Sequence, residues 1–176
     1  MKKTLVCIIF LISISIILYG IFECVSQSKL SAYDYLLRHA IDSEKPEKLL
    51  YYTNDDNTYI IFYIAEKKLV KCAILYKNWI SYDIISYSGN LNLTYKDSYL
   101  WSRYEDGTEN GGGIAWGLIQ NPEITEVYIG DMKCQQAQAD GQNFRIFWVL
   151  ADEKEMHEDF SLSNPGKMKS YTALYD

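Results

Sequence analysis

Nineteen consecutive residues without a charge, Thr4 to Phe22, constrain this chain more than any other stretch of it. At about 1.5 Å rise per residue such a run makes a helix matched to the ~30 Å hydrocarbon layer of a bilayer. Lys2 and Lys3 precede it and Glu23 comes directly after it. Because Lys and Arg are retained on the cytoplasmic side, this flank predicts a cytoplasmic N-terminus and an exported remainder. Ser13 and Ser15 interrupt the run, but a hydroxyl can bond back to a carbonyl one turn earlier. Tyr19 stands near the outer end, where an amphipathic ring suits the interface, and Gly20 alone makes no Gly-x-x-x-Gly face.

A cleaved signal peptide is the rival reading. Its apolar region runs about 7–15 residues before a small-x-small cleavage site, and Cys24-Val25-Ser26 is a poor one. Lipidation at Cys24 would need a small residue before it, where Glu23 stands. The sequence therefore predicts an uncleaved signal-anchor over 1–26. Residues 27–176 come next as one extracytoplasmic domain, with a break at 105–113 that divides it into two sub-halves.

Outside Lys2, Lys3 and Glu23 the chain holds 15 basic and 22 acidic residues, a net charge of −7. So acidic a domain repels nucleic acid and anionic lipid, which leaves the membrane anchor and a protein or envelope component as expected partners. The chain holds sixteen tyrosines and two histidines. Tyrosine suits pleated, half-buried surfaces, and it also offers a rigid face for stacking sugars or peptides. Cys72 and Cys134 both fall in strand-like runs, and an oxidising compartment would permit a bridge between them or leave two separate buried thiols. No Cys-x-x-Cys occurs and histidine is scarce, so neither a zinc site nor any cofactor is expected.

Ser31 to Ser43 reads as a helix, with Ser31 as N-cap, Asp34 at N3, and a Leu30–Tyr35 staple. Tyr33, Leu36, Leu37, Ala40 and Ile41 form its apolar stripe, and Pro46 stops it. Strands are predicted at Leu49–Thr53, Thr58–Ala65, Val70–Lys77, Trp79–Tyr87 and Tyr99–Tyr104. Thr58–Ala65 is apolar throughout, as a strand buried on both faces would be. In the next strand Val70, Cys72, Ile74 and Tyr76 face inward and Lys71, Ala73, Leu75 and Lys77 outward. Ser88-Gly89-Asn90 reads as the end of the fourth strand, and Asn92-Leu93-Thr94 is a glycosylation sequon. Later, Ile124–Ile129, Met132–Ala139 and Gln142–Leu150 read as a meander. Gly130-Asp131 and Asp140-Gly141 serve as its two-residue turns. Ser163-Asn164-Pro165-Gly166 is a further turn, and Met168–Tyr175 a last strand. The predicted class is α+β: a membrane helix, one juxtamembrane helix, and a mostly antiparallel β-sheet.

Three stretches hold residue types that could carry chemistry. Glu105, Asp106, Glu109 and Asn110 in the glycine-rich loop offer oxygen ligands but not the spacing of a calcium hand. With Glu123, those carboxylates would be the acid–base pair of an envelope hydrolase, which needs two carboxyls roughly 5–10 Å apart. Glu153, Glu155, His157, Glu158 and Asp159 read as a solvated loop. No catalytic set emerges, and a non-catalytic binding or sensing domain is the leading expectation. An immunity or inhibitor protein steered by its acidity is a further alternative.

Gly113-Ile114-Ala115-Trp116-Gly117-Leu118-Ile119, then Asn121-Pro122-Glu123-Ile124 and Val127, carry a family likeness that continues through Asp140-Gly141 into Arg145-Ile146-Phe147-Trp148. With its Ile-, Lys-, Asn- and Tyr-rich composition, the chain resembles small, uncharacterised single-pass exported proteins of low-GC Gram-positive bacteria. The resemblance implies location and architecture, and it supplies no catalytic residues. Ser163-Asn164-Pro165-Gly166 departs from the Asp-x-x-Gly turn usual near the end of such chains.

Overall fold

A computed structural model describes residues 12–21, 30–66, 68–93, 98–104, 112–129, 132–152, 160–164 and 167–171. Residues 12–21 are helical (α1); the rest of the apolar run lies outside the described residues. Among the described residues, no helix is long and apolar enough to cross a membrane. Beyond α1 the architecture is α+β, and every strand pairing is antiparallel.

Helix α2 (Ala32–His39) starts where Ser31 caps it, the serine Oγ accepting from the Asp34 N–H at 3.1 Å. It ends four residues short of the expected Ser43. Ala40 turns extended, and a short 3-10 helix, Asp42–Glu44, takes over. The reason lies in the third strand: the Lys71 ammonium, only 3% exposed, donates to the Ser43 carbonyl at 2.9 Å and to Glu44 Oε1 at 3.0 Å. A continuous helix would draw both acceptors away from a buried charge that needs them.

Strands β1 (Lys48–Asp55), β2 (Thr58–Ala65), β3 (Leu69–Lys77) and β4 (Tyr82–Asn92) form the first sheet in chain order. The outward face expected for β3 is not solvated. Lys71, Ala73 and Leu75 are buried with Ile61, Tyr63 and Ala65 beneath Ala32 and Leu36 of α2. Strand β4 starts later and runs further than expected, through Ser88-Gly89-Asn90. Gly89 adopts a φ of 86°, and the register slips between Val70 and Cys72, so two β4 residues oppose one of β3. This is a bulge that glycine admits without steric cost, and it bends the strand without ending it.

The second sheet has the order β5 (Ser98–Tyr104), β6 (Gly112–Ile119), β10 (Arg145–Asp152) and β9 (Gln135–Gln138). In the third, β12 (Lys167–Tyr171), β11 (Phe160–Asn164), β7 (Glu126–Ile129) and β8 (Met132–Lys133) lie side by side. The expected meander is thus divided. The run Met132–Ala139 breaks at Cys134, with β8 in the third sheet and β9 in the second. At Asp140-Gly141 only Gly141 has positive φ, 60°, so the connection is not the two-residue type I′ turn. It is a longer loop, closed by the Ala139 N–H donating to the Phe144 carbonyl at 3.2 Å. Asn164 pairs with Lys167, so β11 and β12 are antiparallel partners on either side of Pro165 and Gly166, which lie outside the described residues.

Layering results from alternation. Ile60, Phe62, Ile64, Val70, Cys72 and Ile74 of the first sheet pack on Ile114, Trp116, Leu118, Ile146 and Trp148 of the second. Ala115, Ile119 and Phe147, on the other face of the second sheet, pack with Val127 and Ile129 of the third and with Ile124 and Cys134. The order is helix, sheet, sheet, sheet. Of residues 105–113, where a break between sub-halves was expected, 105–111 lie outside the described residues, whereas Gly112 and Gly113 are not a hinge but the start of β6. The strands flanking 105–111 belong to one sheet and pair through Tyr104 and Gly112.

Trp116 is the largest fully buried side chain among the described residues. Its ring meets Phe62 at 5.5 Å, and its Nε1–H donates to Ser88 Oγ across the sheets at 2.9 Å. Replacing Trp116 by Ala is expected to cost about 3–5 kcal/mol. Ser88→Ala strands the indole donor and is expected to cost about 1–3 kcal/mol. Urea unfolding of both variants measures these losses; a Trp116→Ala cost under about 1 kcal/mol would contradict the packing described.

Candidate functional site

A recess of about 350 Å³ opens on the helix-covered face of the first sheet, lined by Ser31, Ala32, Tyr33, Leu49, Tyr52, Tyr59 and Tyr82. Each wall has a local cause. The Ser31 cap fixes where α2 begins, which sets Ala32 and Tyr33 over the sheet. Helix α2 is only eight residues long, too short to cover the whole face, so the strand residues beyond its start stay open. Tyr59 and Tyr82 meet edge to face at 5.3 Å, and Tyr35 leans on Tyr82 at 5.6 Å while stacking on His39 at 4.2 Å. The Lys77 ammonium stands 5.9 Å from the Tyr82 ring centroid, in cation–π range.

Two phenols of this recess, Tyr33 and Tyr82, are raised above their ordinary value. Burial raises Tyr33 above the ordinary 10.0, only partly opposed by its bond to the Leu49 backbone. Burial also raises Tyr82, and the Tyr59 hydroxyl beside it adds to the shift. Neutral rings with hydroxyl tips can stack and hydrogen-bond. A ligand suited to such a wall is one with flat apolar faces edged by polar groups, such as a sugar ring or a peptide.

Deeper under the same face, Lys71 and Glu44 form a mostly buried ion pair at 3.0 Å. The Tyr63 hydroxyl is buried beside Glu44 but outside hydrogen-bonding geometry, and burial, then the Glu44 charge, raises its phenol. Tyr87 is raised by the same two causes. The Lys71–Glu44 pair ties the 3-10 helix to β3. A second recess of about 300 Å³ lies between β1 and the β8–β10 region, with Thr53, Asn54, Asp55, Lys133, Gln135 and Trp148 among its walls.

Of the residues singled out for chemistry, Glu105, Asp106, Glu109, Asn110, Glu153, Glu155, His157, Glu158 and Asp159 lie outside the described residues. Glu123 is exposed in a turn, where its N–H donates to Asn121 Oδ1 at 2.9 Å. That turn is clamped from β10. The Arg145 guanidinium donates to the Asn121 and Ile124 carbonyls and, at 2.8 Å, to Gln136 Oε1. Among the described residues no three His, Cys, Asp or Glu side chains gather as a metal-holding group. Asn92 of the sequon is the last residue of β4, and Thr94 lies outside the described residues. The tyrosine excess is visible in the sequence. That Tyr33, Tyr52, Tyr59 and Tyr82 share one recess is not, because β1, β2, β4 and α2 meet only through tertiary packing.

Cys72 and Cys134 are not bridged: each is a free buried thiol, one between the first and second sheets and the other between the second and third. Burial raises Cys72 well above 9.0 and pushes Cys134 up to about 12. In a Cys7→Ser, Cys24→Ser background, neither thiol is expected to react with a water-soluble disulfide reagent until the fold is opened, when both should. Rapid native labelling, or an oxidised pair by mass, would contradict the burial. The shifts also carry a pH sign. Thiols and phenols raised by folding add stability that is complete below pH 9 and is lost as pH climbs through the folded values. Urea midpoints should therefore hold from about pH 7 to 9 and fall above about 10; a midpoint that rose there would reverse the sign.

Comparison with protein families, with curated proteins and with solved structures finds no match for this chain.

Proposed function

We propose that this chain is a membrane-tethered, extracytoplasmic, non-catalytic domain that binds a protein or envelope ligand through the tyrosine recess at the start of α2. The observation that carries the reading is the recess itself: an open wall of four tyrosines, with at least two phenols held neutral, at the point where the chain enters the domain. The tether rests on the charge-free run Thr4–Phe22 with Lys2 and Lys3 before it, and on the likeness to anchored exported proteins. In support, the described part of that run leaves Ile12, Ile16, Ile17, Leu18 and Ile21 exposed, a surface that water disfavours and lipid accepts.

Two measurements test this. Protease added to intact cells is expected to digest residues beyond the anchor while a cytosolic control survives; full protection of the C-terminal part would refute the orientation. A photo-crosslinking residue in place of Tyr52, itself 56% exposed, is expected to give a discrete adduct in those cells, weakened by Tyr33→Ala. No adduct from a folded, exported chain would rule the recess out as the binding surface.

A further inference from the structure

Between β3 and β4 the chain turns through Asn78, Trp79, Ile80 and Ser81, and this tip breaks the usual rule for apolar side chains. Trp79 is 101% exposed and Ile80 44%. Neither is there for want of order. Asn78 Oδ1 accepts from the N–H groups of Ile80 and Ser81 at 3.0 and 2.8 Å, and Asn78 Nδ2 donates to Asp83 Oδ2 at 2.9 Å. The Asn78 N–H closes the turn onto the Ser81 carbonyl at 3.0 Å. One side chain thus braces three neighbours and holds the indole clear of the sheet.

Two connections fix where that tip lies. The Lys77 N–H donates to the Asn57 carbonyl at 2.7 Å, which joins it to the β1–β2 turn at the same end of the first sheet. Tyr82, three residues after Trp79, shares the tyrosine recess with Ser31, the N-cap of α2. Only residues 23–30 separate Ser31 from the end of the apolar run at Phe22, a reach of about 30 Å even fully extended. The exposed Trp79 therefore sits at the end of the domain that the tether keeps close to the bilayer.

We propose that Trp79 and Ile80 insert into the interfacial layer of the membrane that carries the anchor, as a second, shallow contact. The inference rests on Thr4–Phe22 being that anchor. Indole is the side chain best suited to the headgroup level, with an apolar body and one donor. Charge argues for apolar insertion over attraction: among the described residues, Asp55, Asp56 and Asp83 flank this end beside Lys77, and Lys133, which shares a recess with Asp55, is already paired with Glu126, so anionic lipid adds little. One Trp and one Ile bind a bilayer weakly from free solution. The tether turns that weak contact into an intramolecular one, at an effective concentration of roughly millimolar.

The full-length chain is reconstituted into phosphatidylcholine vesicles with and without brominated acyl chains, and its fluorescence is compared with that of Trp79→Phe. The difference between the two isolates Trp79 from Trp101, Trp116 and Trp148. That component is expected to be quenched about twofold or more by brominated lipid, with no gain from added phosphatidylglycerol. A chain that floats with vesicles after carbonate extraction but shows no quenching of that component overturns the tip contact and leaves the anchor standing. Failure to float overturns the anchor and the tip contact with it. A blue shift without quenching, growing with protein density, would assign the tip to a second copy of the chain and likewise overturn the proposal.

Discussion

Burial of the first sheet on both faces is the constraint on which the rest of the molecule depends. Strands β2 and β3 send one set of side chains toward Trp116 and Trp148 and the alternate set toward Leu36 of α2. Neither face can be left open, so the helix and the second sheet are both obligatory. The second sheet has the same problem, with Ile114, Trp116 and Leu118 on one side and Ala115, Ile119 and Phe147 on the other. The third sheet answers it. Each layer exists because the one before it has a second apolar face.

Two polar devices register these layers, and both are directional where the apolar contacts are not. Trp116 donates to Ser88 between the sheets, which fixes one rotamer of a large ring and one register of β4. At the outer face Lys71 reaches across to Ser43 and Glu44, which sets where α2 must end. Hydrogen bonds to a charged group are worth roughly 1.5–3 kcal/mol when buried. An eight-residue helix can spare little of that, since isolated helices so short do not persist in water.

Local signals are legible where one residue decides the backbone. The Ser31 cap and the whole span of β2 can be read from the sequence, because capping and an unbroken apolar run act within a few residues. The illegible features depend on partners far along the chain. Lys71 has the pattern of a solvent-facing residue, and its burial is tolerable because the fold brings the Ser43 carbonyl and Glu44 to it. Ser88-Gly89-Asn90 has the composition of a turn, and only pairing with Val70 and Cys72 makes it a bulge. Met132–Ala139 has one continuous pattern, yet Cys134 turns into the core between two sheets. The recess is invisible for the same reason: its four tyrosines come from three strands and a helix, and nothing in their spacing announces a common wall.

The Lys71 tie has a mechanical side. If the chain is held at its start as proposed, any drag on the domain acts as tension on the segment leading to Ser31, and that tension next meets α2 and then β1. Strand β1 is the outermost strand of its sheet, the kind that unzips one bond at a time when pulled from its end. By gripping Ser43 and Glu44 just upstream of Lys48, the ammonium of Lys71 diverts the load into β3, an interior strand flanked on both sides. The pull is then resisted by a ladder in shear, and the vulnerable edge is spared.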